Sequence, residues 1–396
     1  MVKKTIKDFD LNGKRVLLRC DLNVPIKDGI ITDDTRIRAS LKTINYIIDN
    51  GGSVVIFSHL GKVKTDEDKI NNDLAPVSKR LSELLNKDVM FSNETRGSEL
   101  EDKVNKLKNG DILLVQNTRY EDLDGKKESS CDMELAKYWA SLGDIFINDA
   151  YGTMHRAHAS NVGICKYLPN GLGFLPDEEI TKIDGIMNED THPFVVIMGG
   201  AKVSDKIKVI SNLILKCDKL LIGGGMAYTF LKAINYNIGN SLFDSESVDF
   251  CLEMLDKYKD KIVLPVDSVV SKDMDNDKAV VKNINEFEDD DMGLDIGPET
   301  VKLFCDNLKD AKRVIINGPM GCFEKASYSL GTKNLYKFIT DNSIKTLVGG
   351  GDSASSVNKL SDSSKFYHIS TGGGATLEYL EGGILPGIGA IDEKKE

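Results

Sequence analysis

Short apolar runs alternate with helix-patterned stretches along this chain, and that alternation constrains its fold more than any other feature. In the first half, residues 15–20, 54–57, 89–91, 112–115 and 145–147 read as strands, and 36–49, 76–85, 100–108 and 133–142 read as the helices between them. Hairpins join antiparallel strands, whereas parallel strands need a crossover, so the alternation implies a parallel sheet covered by helices on both faces. The second half repeats the pattern, with strands at 195–198, 220–222, 262–264, 314–316, 346–348 and 367–369. Between the halves, 168–176 is a break rich in Gly and Pro. A helix is expected from Pro176, with Asp177, Glu178 and Glu179 in its first turn and its end within 188–193. A lone helix between two α/β runs reads as a domain connector. Residues 270–291, acidic and polar, read as a loop or small excursion.

The 396 residues amount to about two to three domains. No apolar run reaches the ~18 residues of a membrane span, and the first residues lack the apolar core of a signal segment. The seven cysteines are scattered without a Cys-x-x-Cys spacing, which fits buried reduced thiols in a cytoplasmic protein. A net charge of −11 argues against general nucleic-acid binding, but a local basic cluster in a cleft can still take an anionic substrate.

Ligands of open parallel sheets sit beyond the carboxyl ends of the strands. Arg19, Asp21 and Asn23 follow the first strand, and Arg36 and Arg38 open the next helix. Ser58, His59 and Lys62 follow the second strand, Arg119 the fourth, and His155, Arg156 and His158 the fifth. A cationic residue recurring at four strand ends suggests a basic pocket for a small phosphorylated acid, because the planar fork of arginine matches phosphate and carboxylate oxygens. No third ligand at suitable spacing accompanies His155-x-x-His158, so these two read as anion or core contacts rather than a metal site. His192 and His368 carry no assigned role.

In the second half most strands run into glycines, at Gly199-Gly200, Gly223–Gly225, Gly318, Gly349–Gly351 and Gly372–Gly374. Such clusters suggest several helix N-termini and bare backbone lining one wide nucleotide cleft. Lys202 and Lys206, four apart, are expected on one face of the helix after Gly200, where a polyanion would relieve their repulsion. Asp352 reads as a Mg²⁺ contact or a helix N-cap, and the two roles are compatible. There is no phosphate loop of the Gly-x-x-x-x-Gly-Lys-Ser/Thr kind, and the protein-kinase signatures are absent. Gly349-x-Gly351-x-x-Ala354 fits a dinucleotide fingerprint, yet the next strand ends without the acidic ribose ligand.

Taken together, residues 19–25, 58–61, 152–160, 199–206, 223–227, 317–321, 349–353 and 370–374 resemble the motifs of the phosphoglycerate kinase family over nearly the whole chain. The resemblance implies reversible phosphoryl transfer between ATP and the carboxylate of 3-phosphoglycerate. In glycolysis the flow is from 1,3-bisphosphoglycerate to ADP. It implies two Rossmann-like three-layer domains whose parallel sheets face each other across a cleft. The acid-binding domain is expected at 1–174 plus 385–396, a hinge helix at 175–187 and the nucleotide domain at 188–384. The family's acid-binding positions fall on Asp21, Asn23, Arg36, His59, Arg119 and Arg156; Lys62 stands where Arg is often found. Its nucleotide positions fall on Lys202, Lys206, Glu324, Gly350, Gly351, Asp352 and Ser353, with N–H donors expected at the helix beginning around Gly373 and Gly374. Glu324 corresponds to the ribose ligand and Asp352 to the contact of the Mg²⁺-nucleotide. Arg36, Lys202 and Lys206 are expected to act in catalysis by hinge closure and in-line transfer. The resemblance also implies a monomer.

Two rival readings follow from the same residues. A dehydrogenase would draw on the Gly349 fingerprint, but the missing ribose acid and the two lysines count against it. A two-lobed binding protein would need neither Lys202 nor Asp352 at a cleft.

Overall fold

The computed structural model describes residues 2–275 and 278–394. Met1, Lys395 and Glu396, and Asn276 and Asp277 of the 270–291 stretch, lie outside the described residues. The chain divides into two compact units: one runs to Thr181 and resumes at Ile384, and the other is Lys182–Gly383. The first division falls inside the helix Phe174–Met187.

The first unit holds six parallel strands in the spatial order Val89–Ser92, Ile112–Val115, Ser53–Phe57, Arg15–Arg19, Ile145–Asn148, Asn170–Leu172. Ser53–Phe57, Ile112–Val115 and Ile145–Asn148 are buried at every position, so neither face of the sheet can be left to water. The helix Thr35–Asp49 turns Ile37, Ile44 and Ile47 inward, and Ala75–Leu85 turns Val77 and Leu81 inward. These side chains join Val16, Leu18, Val54 and Ile56 in one core. The last described residues belong here too. Leu385, Ile388 and Ile391 are buried, Gly387 N–H donates to Met154 O (2.8 Å), and Lys4 N–H donates to Asp392 O (2.9 Å).

The second unit holds a second six-stranded parallel sheet, ordered Ile262–Val263, Lys219–Ile222, Phe194–Met198, Arg313–Asn317, Lys345–Gly349, His368–Ile369. Numbered along the chain this is 3-2-1-4-5-6, a doubly wound order that reverses between Phe194–Met198 and Arg313–Asn317. Ile197, Ile316, Phe304, Leu335 and Tyr336 fill its core.

These strands and their intervening helices lie within three residues of the sequence-based bounds, but several pieces differ. The Gly- and Pro-rich break contains the edge strand Asn170–Leu172, where Gly171 passes so close to residue 5 that a Cβ would lie 3.1 Å from the Thr5 carbonyl carbon. The connecting helix opens at Phe174, ahead of Pro176, because side chains satisfy its first donors: Thr43 Oγ1 accepts from Phe174 N–H (3.2 Å) and Asp149 Oδ1 from Leu175 N–H (3.1 Å). Within 270–291, Val280–Asn283 is a strand rather than loop. Asp267–Ser271 pairs antiparallel with it and with Met292–Ile296. Beneath them Tyr228, Ile238, Val270, Ile284 and Phe287 form a separate apolar cluster. After Gly200 the chain makes a 3-10 turn, Ser204–Lys206, and the α-helix begins only at Ile207. Lys202 precedes both, so it shares no helix face with Lys206. Four cysteines are buried as expected, while Cys131, Cys305 and Cys322 are half-buried. Among the described residues no helix is long and apolar enough to cross a membrane.

Candidate active site

At the carboxyl ends of the first sheet, charge is arranged in two depths. The deeper layer begins with Arg19, the last residue of its strand. Its place at a strand end suggested an open pocket, yet it is wholly buried. Its Nε donates to Ser160 Oγ (2.8 Å), Nη1 donates to Cys20 O, and Nη2 lies 3.4 Å from His59 Nδ1. A buried guanidinium needs a partner charge. Glu128, also wholly buried, supplies it through Ser160, whose N–H and Oγ donate to the two carboxylate oxygens at 3.0 and 2.5 Å. Burial lifts the pKa of Glu128 and Arg19 opposes the rise. Sequence reasoning does not find Glu128, which lies in an irregular turn-rich segment with no motif around it.

The outer layer contains most of the expected acid-side residues. His59 is buried, and burial together with Arg19, Arg119 and Arg156 holds its pKa well below the ordinary histidine value. His158 is held down to about 3 by burial and the same three arginines. Arg119 sits in the 3-10 turn Thr118–Asp122, whose start is capped by Asn117 Oδ1 accepting from Arg119 N–H (3.0 Å). Its Nη1 donates to Asp122 Oδ2 (3.1 Å) and Ser129 Oγ (2.9 Å), while its buried Nε has no hydrogen-bond partner among the described residues. Arg156 is exposed beside His155. Arg36, second residue of its helix, donates from Nη1 to both oxygens of Asp21 (2.9 and 2.8 Å). Asn23 Oδ1 accepts from Gly61 N–H (2.8 Å), which shapes the loop that carries exposed Lys62. The structure thus places His59, Arg119 and Arg156 in one field and pairs Asp21 with Arg36.

The second unit offers a different chemistry. A cavity of about 350 Å³ is walled by glycine backbone at Gly200, Gly224 and Gly225 and by apolar Leu242, Met292, Leu294, Met320 and Phe323. It lies where the strand order reverses. The two loops cross there so tightly that a Cβ on Gly199 would stand 2.2 Å from Pro319 O, so this position admits only glycine. Glu324 and Asp352 are part of the lining, whereas Lys202, Lys206, Gly350, Gly351, Ser353, Gly373 and Gly374 lie outside it.

Two helices begin at the neighbouring strand ends, Gly351–Leu360 behind Gly350 and Gly374–Leu380 behind Gly373, and neither has a side-chain cap at its N-terminus. Gly350 is the N-cap of the first and Asp352 its second helical residue, so the cap role considered for Asp352 belongs to Gly350, whose φ of +98° favours glycine. Ser353 is buried, and its Oγ accepts from Gly318 N–H (2.6 Å). Lys206 Nζ donates to Asn317 O (2.9 Å) and Oδ1 (2.5 Å), and Asn317 Nδ2 donates to Gly349 O (2.9 Å). Burial lowers the pKa of Lys206 to about 8, against the pull of Asp352 and Asp205. Lys202 stands exposed; the Asp244 carboxyl is held down first by Ser204 N–H and in part by the Lys202 charge.

Arginines gathered at strand ends in one unit, and helix N-termini beside an apolar cavity in the other, are the equipment of an α/β phosphotransferase. Comparison with known proteins makes the class specific. Residues 6–383 match the family model described as "Phosphoglycerate kinase". The chain is 56% identical over 397 residues to a phosphoglycerate kinase of Enterococcus faecalis, and 56% identical over 396 residues to one of Staphylococcus aureus, with 100% of each chain covered. Its fold is similar to the structure of phosphoglycerate kinase from Coxiella burnetii, with a TM-score of 0.89, 36% identity and 98% of each chain covered. That of the Pyrococcus horikoshii phosphoglycerate kinase is also similar, with a TM-score of 0.84, 31% identity and 98% of each chain covered. The chain belongs to the phosphoglycerate kinase family. It is a glycolytic phosphotransferase with a carboxyl acceptor, moving a phosphoryl group reversibly between ATP and 3-phosphoglycerate.

Proposed function

We propose that the first unit, with its returning tail, holds the acid and that the second holds the nucleotide. His59, Arg119 and Arg156 take the remote phosphate of 3-phosphoglycerate. Arg36 takes the carboxylate, oriented by Asp21, with Asn23 and Lys62 alongside. The observation that carries this is the buried Nε of Arg119, a donor with no protein acceptor among the described residues. Leaving such a donor unmet costs ~1–3 kcal/mol, which a phosphate oxygen restores. Lys62 contributes a point charge rather than a bidentate fork.

In the second unit the cavity takes the adenine, Glu324 the ribose hydroxyls, and the helix N-termini at Gly350, Gly351, Ser353, Gly373 and Gly374 the phosphates. Mg²⁺ arrives as part of the nucleotide substrate. The Asp352 carboxylate at the cavity suits a hard cation already held by phosphate oxygens. The acid's carboxylate is itself the nucleophile, so no general base is required. Arg36, Lys202 and Lys206 meet the charge on the moving phosphoryl group. Because each unit holds one substrate, hinge closure precedes in-line transfer and shields the acyl phosphate from water. The protein acts as a cytoplasmic monomer.

A coupled assay of ATP-dependent phosphorylation of 3-phosphoglycerate tests the reading, with turnover expected with Mg²⁺ and abolished by EDTA. NADH and a 2-oxo acid are expected to give no change in absorbance. Turnover that survives full chelation overturns the Mg²⁺-nucleotide assignment.

A further inference from the structure

Beneath the outer arginines lies a layer that the reaction scheme does not use: Arg19, Glu128 and Ser160, all with no measurable exposure. We propose that Glu128 is a positioning residue, which neutralises Arg19 so that this buried guanidinium holds His59 as the neutral tautomer with its proton on Nε2. His59 is then a fixed N–H donor for an anionic oxygen. The inference rests on the reading that His59 and Arg119 take the acid's phosphate.

Arginine has donors and no acceptor. The Nη2 of Arg19 faces His59 Nδ1 at 3.4 Å, so Nδ1 must accept, and the one proton of a neutral ring then sits on Nε2. A doubly protonated ring is disfavoured because the charged groups facing His59 are Arg19, Arg119 and Arg156, with His158 beside them. Arg19 stays in place only with a counter-charge. The carboxylates acting on it are Glu128 first and Asp21 second, against Arg119. Glu128 in turn faces Arg19 and, at 3.8 Å from its Oε1, the Nδ1 of His158.

Ser160 is the coupling. Its Oγ gives its hydrogen to Glu128 and is thereby left with a lone pair for Arg19 Nε. The two Ser160 donors, its N–H and its Oγ–H, meet different oxygens of Glu128, so a glutamine at 128 turns its NH2 toward one of them and removes the charge that offsets Arg19.

The test uses the full chain labelled with ¹⁵N-histidine, with the His59 ring signals assigned against His59→Gln. The wild type is expected to show protonated Nε2 and bare Nδ1 throughout about pH 6 to 8. A protonated Nδ1 in the wild type overturns the proposal, whether or not any variant folds. Glu128→Gln is expected to lose the single tautomer and to raise the KM for 3-phosphoglycerate about tenfold, with kcat within about twofold. A KM and a His59 spectrum both unchanged overturn it, and so does a fall in kcat with KM unmoved. Arg119→Ala, measured in parallel, separates the two readings. If its KM is also unchanged, the phosphate assignment fails; if its KM rises while Glu128→Gln is silent, only the role of Glu128 is lost.

Discussion

Lys206 is a half-buried lysine whose setting makes a pH dependence testable. Burial lowers its pKa to about 8, whereas a lysine in the unfolded chain titrates near ~10.4. Below about pH 8 both states are protonated, and between these values only the unfolded chain keeps the proton, so stability rises with pH across that window. If Lys206 meets the phosphoryl charge as proposed, activity runs the other way, because its ammonium loses its proton above about 8. The kcat/KM for nucleotide is therefore expected to fall above about pH 8, and Lys206→Arg to carry the fall to higher pH, since guanidinium keeps its proton. A wild-type profile flat to about pH 9.5 would remove Lys206 from that role. Arg36→Ala and Lys202→Ala are expected to lose ~10²–10³ in kcat, by analogy with a lost oxyanion donor, while circular dichroism stays native. Near-normal turnover in either acquits that residue. At this scale the sequence was informative about charge gathered at strand ends, as with His59 and Arg119, which share one electrostatic field. It was silent where partners come from distant segments: Glu128 meets residues 19 and 160, and nothing in the spacing of Arg19 says that it points inward.

Among the elements, one boundary was set by side chains remote in sequence. The helix Phe174–Met187 begins where Thr43 and Asp149 wait for its first N–H groups. The helix Leu330–Asp341 is likewise held at its start by a residue distant in sequence. Buried Asp295, at the end of the antiparallel sheet, accepts from Gly331 N–H (2.7 Å) and Thr332 Oγ1 (3.2 Å). Asp295→Ala is expected to cost ~2–3 kcal/mol through these unmet donors, read as a lower denaturant midpoint at unchanged m-value. A loss below about 0.5 kcal/mol would show the anchor to be dispensable. Some signals stood in plain view. Asp28 and Gly29, both at positive φ, turn the small hairpin of Ile26–Lys27 and Ile30–Ile31, and Asp-Gly is a strong marker of such a turn. The strand Val280–Asn283 hid for the opposite reason, since most of its side chains face solvent and its apolar pair is flanked by a long polar stretch.

For the molecule as a whole, the alternation of strand and helix sufficed for two parallel sheets, and the glycine clusters marked the second as the one proposed to meet a nucleotide. If transfer requires closure, adding 3-phosphoglycerate and Mg²⁺-nucleotide together is expected to lower the radius of gyration seen in solution scattering. An unchanged value removes hinge closure from the proposed mechanism.

The return of residues 384–394 to the first unit has a consequence for how the chain is made. Lys4 and Asp392 are joined backbone to backbone, as are Val2 and Lys394, so the unit synthesised first is completed last. Until residues 384–394 are made, the host unit lacks the buried Leu385, Ile388 and Ile391 that complete it. During that interval the half-built host is the part of the nascent protein most exposed to chaperones and proteases.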